Sequence, residues 1–353
     1  MDEIHDGLAA RAQRARASLV AESARHPVPL PSSVGGPRRA RLDRGIPVLA
    51  GLVVVGITVG LLVASSWRSQ SVVVPNVMST VSAGSRPVAV VTDGGSTFVA
   101  DAGPGTVTAF STAKLSASWT NNDAKRPIAL ALGSGNLWVL DAGAARLLEL
   151  DASDGHLVAT AQTSLHPLGV TVTGTTVWVL SGGNETLDKY DATTATQTGS
   201  VDLPAGGTSL TSGGGYVWVT ASMQVVRVAL DANRGTGVLS VPVADQPVAV
   251  AATPAGTWVA LRSGELVDLD PGDPSRTRAH VATDATPTAL TALGDGSAVV
   301  ATTAGTLTRT GTKGQVSALP APGAALASLA SSGALLVGVS PVTALLYATE
   351  VPS

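Results

Sequence analysis

The feature that most constrains this chain is a sequence repeat of 40 residues. One position of the repeat holds Pro or Gly, at Pro87, Pro127, Pro167, Gly207, Pro247 and Pro287. Eleven residues further on stand Phe98, Trp138, Trp178, Trp218, Trp258 and Ala298, and a valine follows each of them. A degraded copy begins at Gly323, 36 residues after Pro287, which brings the number of units to seven. A period near 40 fits four-stranded propeller blades and also approaches the length of two-helix solenoid repeats.

The pattern inside each unit favours strands over helices. Runs of five to seven Val, Ala, Leu, Trp and Thr residues alternate with glycine-rich turns such as Asp93–Gly95 and Gly213–Gly215. No apolar stripe long enough for a helix fits between these turns. A single four-stranded sheet leaves both faces uncovered, whereas seven sheets packed radially bury them. The sequence therefore predicts an all-β, seven-bladed β-propeller with four-stranded blades, in which the recurring tryptophan packs one blade against another.

The two ends of the repeat region predict how the ring closes. The last unit offers three strands, Ala325–Leu329, Leu335–Val339 and Ala344–Thr349, whereas a strand-like segment, residues 71–81, precedes the first unit. We expect this N-terminal strand to pair with the C-terminal unit and complete its blade. Deleting residues 72–82 should then lower the stability by several kcal/mol.

The segment before the propeller has the composition of a membrane anchor. Residues 46–64 are 19 residues without a charge, close to the roughly 20 that cross a bilayer. Eight arginines precede this segment, and a positive flank favours the cytoplasmic side. We therefore predict a cytoplasmic Arg-rich tail and linker (1–45), one transmembrane helix (46–67) and an extracytoplasmic propeller (68–353). Cleavage as a signal peptide after 63–65 is the alternative.

Composition excludes several classes of function. The chain has 353 residues, of which 13% are charged, and a net charge of −3, which gives no reason to expect nucleic acid as a partner. It has no cysteine, so disulfides and thiolate chemistry are excluded. No phosphate-binding loop, nucleophile elbow or zinc-protease motif occurs. The aspartates 268, 270 and 273 lack the bidentate glutamate of a calcium loop and are interpreted as a solvated turn. We predict neither a cofactor nor a metal.

The strand patterns resemble the YVTN/NHL-type propeller repeats of bacteria. The similarity lies in Gly-Asn-Leu-Trp-Val-Leu-Asp (135–141) and Leu-Leu-Glu-Leu-Asp-Ala-Ser-Asp-Gly-His-Leu-Val (147–158), and it extends over about 72–353. No Gly-His and Trp-Asp pair of the WD40 type is present. The resemblance implies the fold strongly and an activity hardly at all, because such domains include sensors, scaffolds, binding modules and a few lyases.

One group of polar residues is expected at a single end of the central channel. In a propeller, the residues before each innermost strand and those after the second strand lie on the same face. The first set is Arg86, Arg126, His166, Gly206, Gln246 and Thr286, and the second begins Asp101, Asp141, Ser181, Ala221 and Leu261. Two hypotheses follow: Arg86 and Arg126 pair with Asp101 and Asp141, or they hold a carboxylate or phosphate of a ligand. The predicted ligand-binding residues are Arg86, Arg126, His166, Asp101, Asp141 and Gln246.

Two functions are compatible with these residues. The first is a non-catalytic, membrane-anchored module that binds an extracytoplasmic ligand or protein, and whose tail contacts a cytoplasmic partner, contacts anionic lipid or serves only to set the topology. The alternative is a lyase-type enzyme in which His166, with Asp141 as its titratable neighbour, acts as acid or base. A lyase would bind a divalent metal and lose turnover in His166→Ala, whereas a binding module requires neither.

Overall fold

A computed structural model describes residues 78–204, 206–233 and 236–352. The predicted Arg-rich tail, linker and transmembrane helix, and the part of the N-terminal strand before Met78, lie outside these residues. Within the described ranges, no helix is long and apolar enough to cross a membrane.

The described chain forms 28 strands in seven four-stranded antiparallel sheets, each with its strands in sequential order except the last. Blade 1 contains β2 (Pro87–Thr92), β3 (Ser96–Asp101), β4 (Thr106–Ser111) and β5 (Ser116–Asn121), blade 2 contains β6 (Pro127–Gly133), β7 (Asn136–Asp141), β8 (Arg146–Asp151) and β9 (Leu157–Gln162), and blade 3 contains β10 (Pro167–Thr173), β11 (Thr176–Ser181), β12 (Thr186–Asp191) and β13 (Gln197–Asp202). Blade 4 contains β14 (Gly207–Gly213), β15 (Tyr216–Ala221), β16 (Gln224–Asn233) and β17 (Thr236–Pro242), and blade 5 contains β18 (Pro247–Thr253), β19 (Gly256–Leu261), β20 (Glu265–Leu269) and β21 (Thr277–Ala282). Blade 6 contains β22 (Pro287–Ala292), β23 (Ala298–Thr302), β24 (Leu307–Thr310) and β25 (Val316–Leu319), and blade 7 contains β26 (Ser328–Ser332), β27 (Leu335–Ser340), β28 (Leu345–Glu350) and β1 (Ser79–Ser82). The seven-bladed propeller predicted from the repeat is confirmed.

The ring closes as the sequence predicts, because β1 pairs with β28 of the C-terminal blade. Ser79 lies opposite Ala348, and Ser82 lies opposite Leu345. The first strand of this blade begins at Ser328, three residues later than predicted, because the residues from Gly323 onwards form the approach to the blade. The other two predicted strands of the blade agree with β27 and β28 to within one residue at each end.

The core is divided into seven apolar clusters, one at each interface between neighbouring blades. The four tryptophans of the repeat are fully buried, and each packs against the following blade. Trp138 of blade 2, for example, lies in a cluster with Val170, Val177 and Val179 of blade 3. One cluster joins Val337 and Val339 of blade 7 to blade 1. The predicted role of the tryptophan as a packing residue between blades is confirmed.

Blade 6 departs from the repeat by one residue. Val299 pairs with Thr291, as Trp258 pairs with Ala251 in blade 5, so Val299 and not Ala298 takes the place of the aromatic residue. Val299 packs towards blade 7, whereas Ala298 packs back against Trp258. The turn Leu293–Ser297 is one residue longer than the repeat requires, and a shift of one residue moves every side chain of a strand to the other face. The assignment of Ala298 to the aromatic position was therefore wrong.

Charged side chains on the third strand of several blades reach across to the next blade. The ammonium of Lys189 donates to the carbonyl of Ala232, and the guanidinium of Arg309 donates to that of Pro352. Arg227 donates to the carbonyl of Pro271 at 3.0 Å. Each of these bonds joins strand three of one blade to the outer part of the following blade, so the blades are linked by polar as well as apolar contacts.

Candidate functional site

The residues before each innermost strand occupy equivalent places on one face of the propeller, which we call the rim face. In blades 1, 2, 3, 5 and 6 a backbone N–H that follows the second strand donates to the carbonyl of the rim residue. The bonds run from Ala102 to Arg86, from Ala142 to Arg126, from Gly182 to His166, from Arg262 to Gln246 and from Thr303 to Thr286, at 2.9–3.0 Å. The fold therefore presents Arg86, Arg126, His166, Gln246 and Thr286 in register around this face. Arg86, Arg126 and His166 are exposed, and Gln246 is partly buried.

Asp101 and Asp141 contribute to the site through the backbone. The carboxylate of Asp101 accepts from the N–H groups of Ser85 at 2.5 Å, Arg86 at 2.8 Å and Gly103 at 2.9 Å. Asp141 likewise accepts from Lys125 at 3.0 Å, Arg126 at 2.8 Å and Gly143 at 3.0 Å. Each aspartate thus fixes the turn before its own blade.

The carboxylate of Asp141 is fully buried and has one charged partner. Arg146 donates from its Nε to Oδ2 at 3.1 Å. Burial raises the pKa of Asp141, but the hydrogen bonds from Lys125, Arg126, Arg146 and Gly143 together outweigh this effect and hold the pKa below its ordinary value. Asp141 is therefore ionised at neutral pH and already bonded at both oxygens.

The hypothesis that Arg86 and Arg126 form ion pairs with these aspartates is wrong for the side chains. Both arginines bond the carboxylates through backbone N–H groups, and neither guanidinium has an ion-pair partner among the described residues. The two guanidinium groups are consequently open to solvent on the rim face.

The turn before blade 3 is built differently because Ser181 stands where blades 1 and 2 have aspartate. The hydroxyl of Ser181 donates to the carbonyl of Leu165 at 3.1 Å, and the N–H of Gly183 donates to the same carbonyl at 3.2 Å. Because Ser181 donates a hydrogen bond where Asp141 accepts two from the turn before its own blade, the carbonyl of Leu165 faces the end of the second strand in blade 3. In blade 2 the N–H groups of Lys125 and Arg126 face the equivalent place. His166 has a φ of 56°, in the left-handed region that non-glycine residues seldom adopt, and the side chain of Leu165 is 68% exposed.

A groove of about 420 Å³ lies beside this turn, between blades 2 and 3. Its lining is mostly apolar and comprises Ile128, Ala142, Ala144, Ala145, Leu165 and Leu168, together with Gly143, Pro167, Arg126 and His166. Leu168 is 40% exposed. The groove therefore combines an apolar floor with one guanidinium and one imidazole.

The central channel offers no ionisable group for chemistry. A cavity of about 630 Å³ is lined by the innermost strands of all seven blades, with Val, Ala, Leu, Thr and Ser side chains only. A second cavity of about 300 Å³ lies nearer the rim face and has a lining of the same kind. Among the described residues, the charged groups of the candidate site therefore lie outside the channel lining.

The aspartates considered as a calcium loop do not converge. Asp268 is buried in β20, where Arg278 donates to its Oδ1 at 2.8 Å, whereas Asp270 accepts from the N–H of Gly272 and fixes an exposed turn. The interpretation as a solvated turn agrees with the bonds of residues 270–273 and is wrong for Asp268, which is fully buried in a strand. In the part of the chain that the structure describes, no three His, Asp or Glu side chains form a group suited to a metal ion.

Sequence reasoning missed Leu165 and Leu168 as part of the site. Both lie next to His166 and looked like ordinary members of an apolar strand. The available signal was that residue 165 is apolar where the two preceding blades have Ser85 and Lys125.

The comparisons with known proteins show a common fold. No family model and no curated protein matches the chain. Among solved structures, streptogramin B lyase is 14% identical with a TM-score of 0.65 and covers 78% of this chain and 98% of its own. Virginiamycin B lyase from Staphylococcus aureus is 12% identical with a TM-score of 0.65, covering 78% and 100%. The WD40 repeats of RRP9 are 10% identical with a TM-score of 0.67, covering 78% and 97%. The chain is thus a seven-bladed propeller similar in fold to these proteins.

Proposed function

We propose that this protein is a non-catalytic, membrane-anchored binding or scaffold module whose propeller lies outside the membrane and holds a ligand or protein partner on the rim face. The observation that carries the proposal is the pair of free guanidinium groups of Arg86 and Arg126. Their backbones are fixed by buried aspartates, while their side chains have no ion-pair partner among residues 78–204, 206–233 and 236–352. Exposed arginines held on a rigid scaffold suit the recognition of carboxylate or phosphate.

The first described strand does not begin at the rim face. Ser82 pairs with Leu345, next to the turn at the rim face, whereas Ser79 pairs with Ala348, further from it. Strand β1 therefore runs towards the rim face. The anchor itself is proposed from the uncharged segment 46–64 and the arginines that precede it.

The lyase alternative has two observations in its favour: the fold resembles that of streptogramin B lyase and virginiamycin B lyase, and His166 is exposed at the channel mouth. Against it, both oxygens of Asp141 are already occupied by other donors. A catalytic His166 would require a proton partner from the substrate or from elsewhere on the rim.

The proposal is tested by cross-linking the full-length protein in its native membranes and quantifying what is captured. The Arg86→Ala/Arg126→Ala double variant should lose its specific cross-linked material by about tenfold, because the anion-binding groups are gone. A matched control is Lys114→Ala/Lys313→Ala, which removes two exposed cations from the opposite side of the propeller and should change nothing. Equal capture by both double variants would refute the proposal.

Two further samples separate the remaining possibilities. A form without residues 1–45 distinguishes partners outside the membrane from those that bind the tail. His166→Ala distinguishes binding from catalysis, since a lyase loses turnover of its substrate in this variant and a binding module has none to lose.

A further inference from the structure

The turn that borders the groove between blades 2 and 3 differs from those before blades 1 and 2, because Ser181 stands where those blades have Asp101 and Asp141. In blades 1 and 2 the carboxylate consumes the N–H groups of the turn, as in the bonds from Lys125 and Arg126 to Asp141. In blade 3 the carbonyl of Leu165 takes over the role of the acceptor, and the side chain of Leu165 points into solvent. Among the described residues, the N–H groups of Leu165 and His166 have no counterpart of the carboxylate that binds the equivalent groups in blades 1 and 2.

An exposed leucine pair in this place provides an apolar contact surface. Leu165 and Leu168 line one wall of the groove, and the small side chains of Ala142, Ala144 and Ala145 form the other. Gly182 lets the side chain of Leu168 lie against the turn after β11, because a Cβ at Gly182 would lie 2.8 Å from Leu168 Cδ1. The groove has the volume of a small-ligand pocket and a lining that takes an aliphatic side chain.

The blade 2 side of the groove carries positive charges. Arg126 lines it directly, exposed Lys125 precedes Arg126, and Arg86 holds the equivalent rim position on the neighbouring blade. This row of cations follows the rim away from the leucines. An occupant that matches both features is apolar at one end and anionic along the next few residues.

We infer that the groove binds an extended peptide segment of a partner protein in which a leucine-sized side chain is followed by carboxylates. The apolar side chain lies between Leu165 and the alanines, and the carboxylates meet Arg126, Lys125 and Arg86. The inference rests on the proposed function and specifies the class of ligand. The N-terminal tail of the same chain is not the occupant, because its arginines would be repelled by the row of cations.

The test measures the binding of fluorescein-labelled peptides to the full-length protein in detergent by fluorescence anisotropy. The probe carries one leucine followed by three glutamates in a Gly/Ser background. One matched peptide has alanine for the leucine, and a second has glutamine for the three glutamates. Each change should weaken binding by about tenfold or more. Raising the ionic strength from about 0.1 M to about 1 M should weaken the binding of the glutamate peptide alone.

Variants of the protein assign each contact. Arg126→Gln should weaken the glutamate peptide but not the glutamine peptide, and Leu165→Ser should remove the preference for leucine over alanine. Matched controls are Lys313→Gln, another exposed cation, and Leu239→Ser, another leucine with 43% exposure. These controls should bind as the unmodified protein does.

A third variant tests the cause of the groove. Ser181→Asp supplies the acceptor found in blades 1 and 2, so the turn should reverse, Leu165 should withdraw and the affinity for the leucine peptide should fall about tenfold. An unchanged melting temperature shows that the fold is retained in each variant.

The outcomes separate the inference from the function on which it rests. No binding of the leucine and glutamate peptide at about 1 mM, or equal losses in the control variants, overturns the inference. If cross-linking in membranes still depends on Arg86 and Arg126, the proposed function survives such a result. If the cross-linking does not depend on them, the proposed function fails on its own evidence.

Discussion

Replacing Asp141 by alanine tests the claim that the rim aspartates hold the rim face in shape. The substitution removes a buried carboxylate that accepts three backbone N–H bonds and one bond from the Nε of Arg146. A hydrogen bond to a charged group contributes about 1.5–3 kcal/mol, and water can reach part of a turn at the surface. Taking the lower value for two or three of these bonds gives a loss of about 3–5 kcal/mol.

The loss should be visible as a lower melting temperature. For a domain of this size it corresponds to roughly 6–15 °C. Ser181→Ala is the matched control. Ser181 occupies the equivalent position of blade 3, and its hydroxyl makes a single hydrogen bond, to the carbonyl of Leu165. We expect that variant to lose about 1 kcal/mol. Equal melting temperatures for Asp141→Ala and Ser181→Ala would refute the role assigned to the carboxylate.

The pH dependence of Asp141→Asn provides a second measurement. The folded state holds the pKa of Asp141 below its ordinary value of 3.8, so the carboxylate stabilises the protein above that pH. This contribution is lost as the pH falls through the folded-state pKa. The difference in unfolding free energy between the wild type and Asp141→Asn should therefore shrink below about pH 4.

Three further predictions concern the blades. Glu149 is buried, and burial raises its pKa despite a hydrogen bond from Asn136. The protein therefore loses stability as the pH rises above the ordinary value of 4.5, because the buried side chain must ionise. Glu149→Gln should unfold at a higher temperature than wild type at pH 7, and identical pH profiles of the two proteins would contradict this. Trp218→Ala should lower the stability by about 3–5 kcal/mol in chemical denaturation, because the indole is fully buried between blades 4 and 5, whereas a loss below about 1 kcal/mol would rule out a core position. Removing Ser79–Ser82 leaves the edge of β28 unpaired, so the melting temperature should fall; an unchanged value would mean that β1 does not secure the ring.

The period of the sequence sufficed for the blade count and for the closing strand. The buried positions recur once in every four-stranded sheet. Each tryptophan of the repeat fills an equivalent space between its blade and the next, so the spacing of the tryptophans indicates the architecture directly. The 40-residue spacing does not reveal a small insertion when a nearby deletion offsets it. In blade 4 the turn after β15 is short and β16 extends to Asn233, so Leu230, which stands 40 residues after the buried Tyr190, is 43% exposed. The extra residue before Ala298 likewise shifts blade 6 although the proline and valine positions still appear to repeat.

The candidate site was predictable in position but not in chemistry. The register placed Arg86, Arg126 and His166 on one face, because strand direction alone decides which turns share an end of the blade. Whether Asp141 would bond the guanidinium of Arg126 or its backbone N–H depends on the path of a turn 15 residues away, which residue spacing does not encode. The same holds for Ser181, whose single change from acceptor to donor turns Leu165 outward.

Sequence alone therefore determined the number of blades, the packing residues and the face on which the polar groups gather, since these follow from periodic burial. Tertiary structure decided which of those groups are free, because a hydrogen-bonding group becomes available to a ligand only when no nearer backbone partner satisfies it.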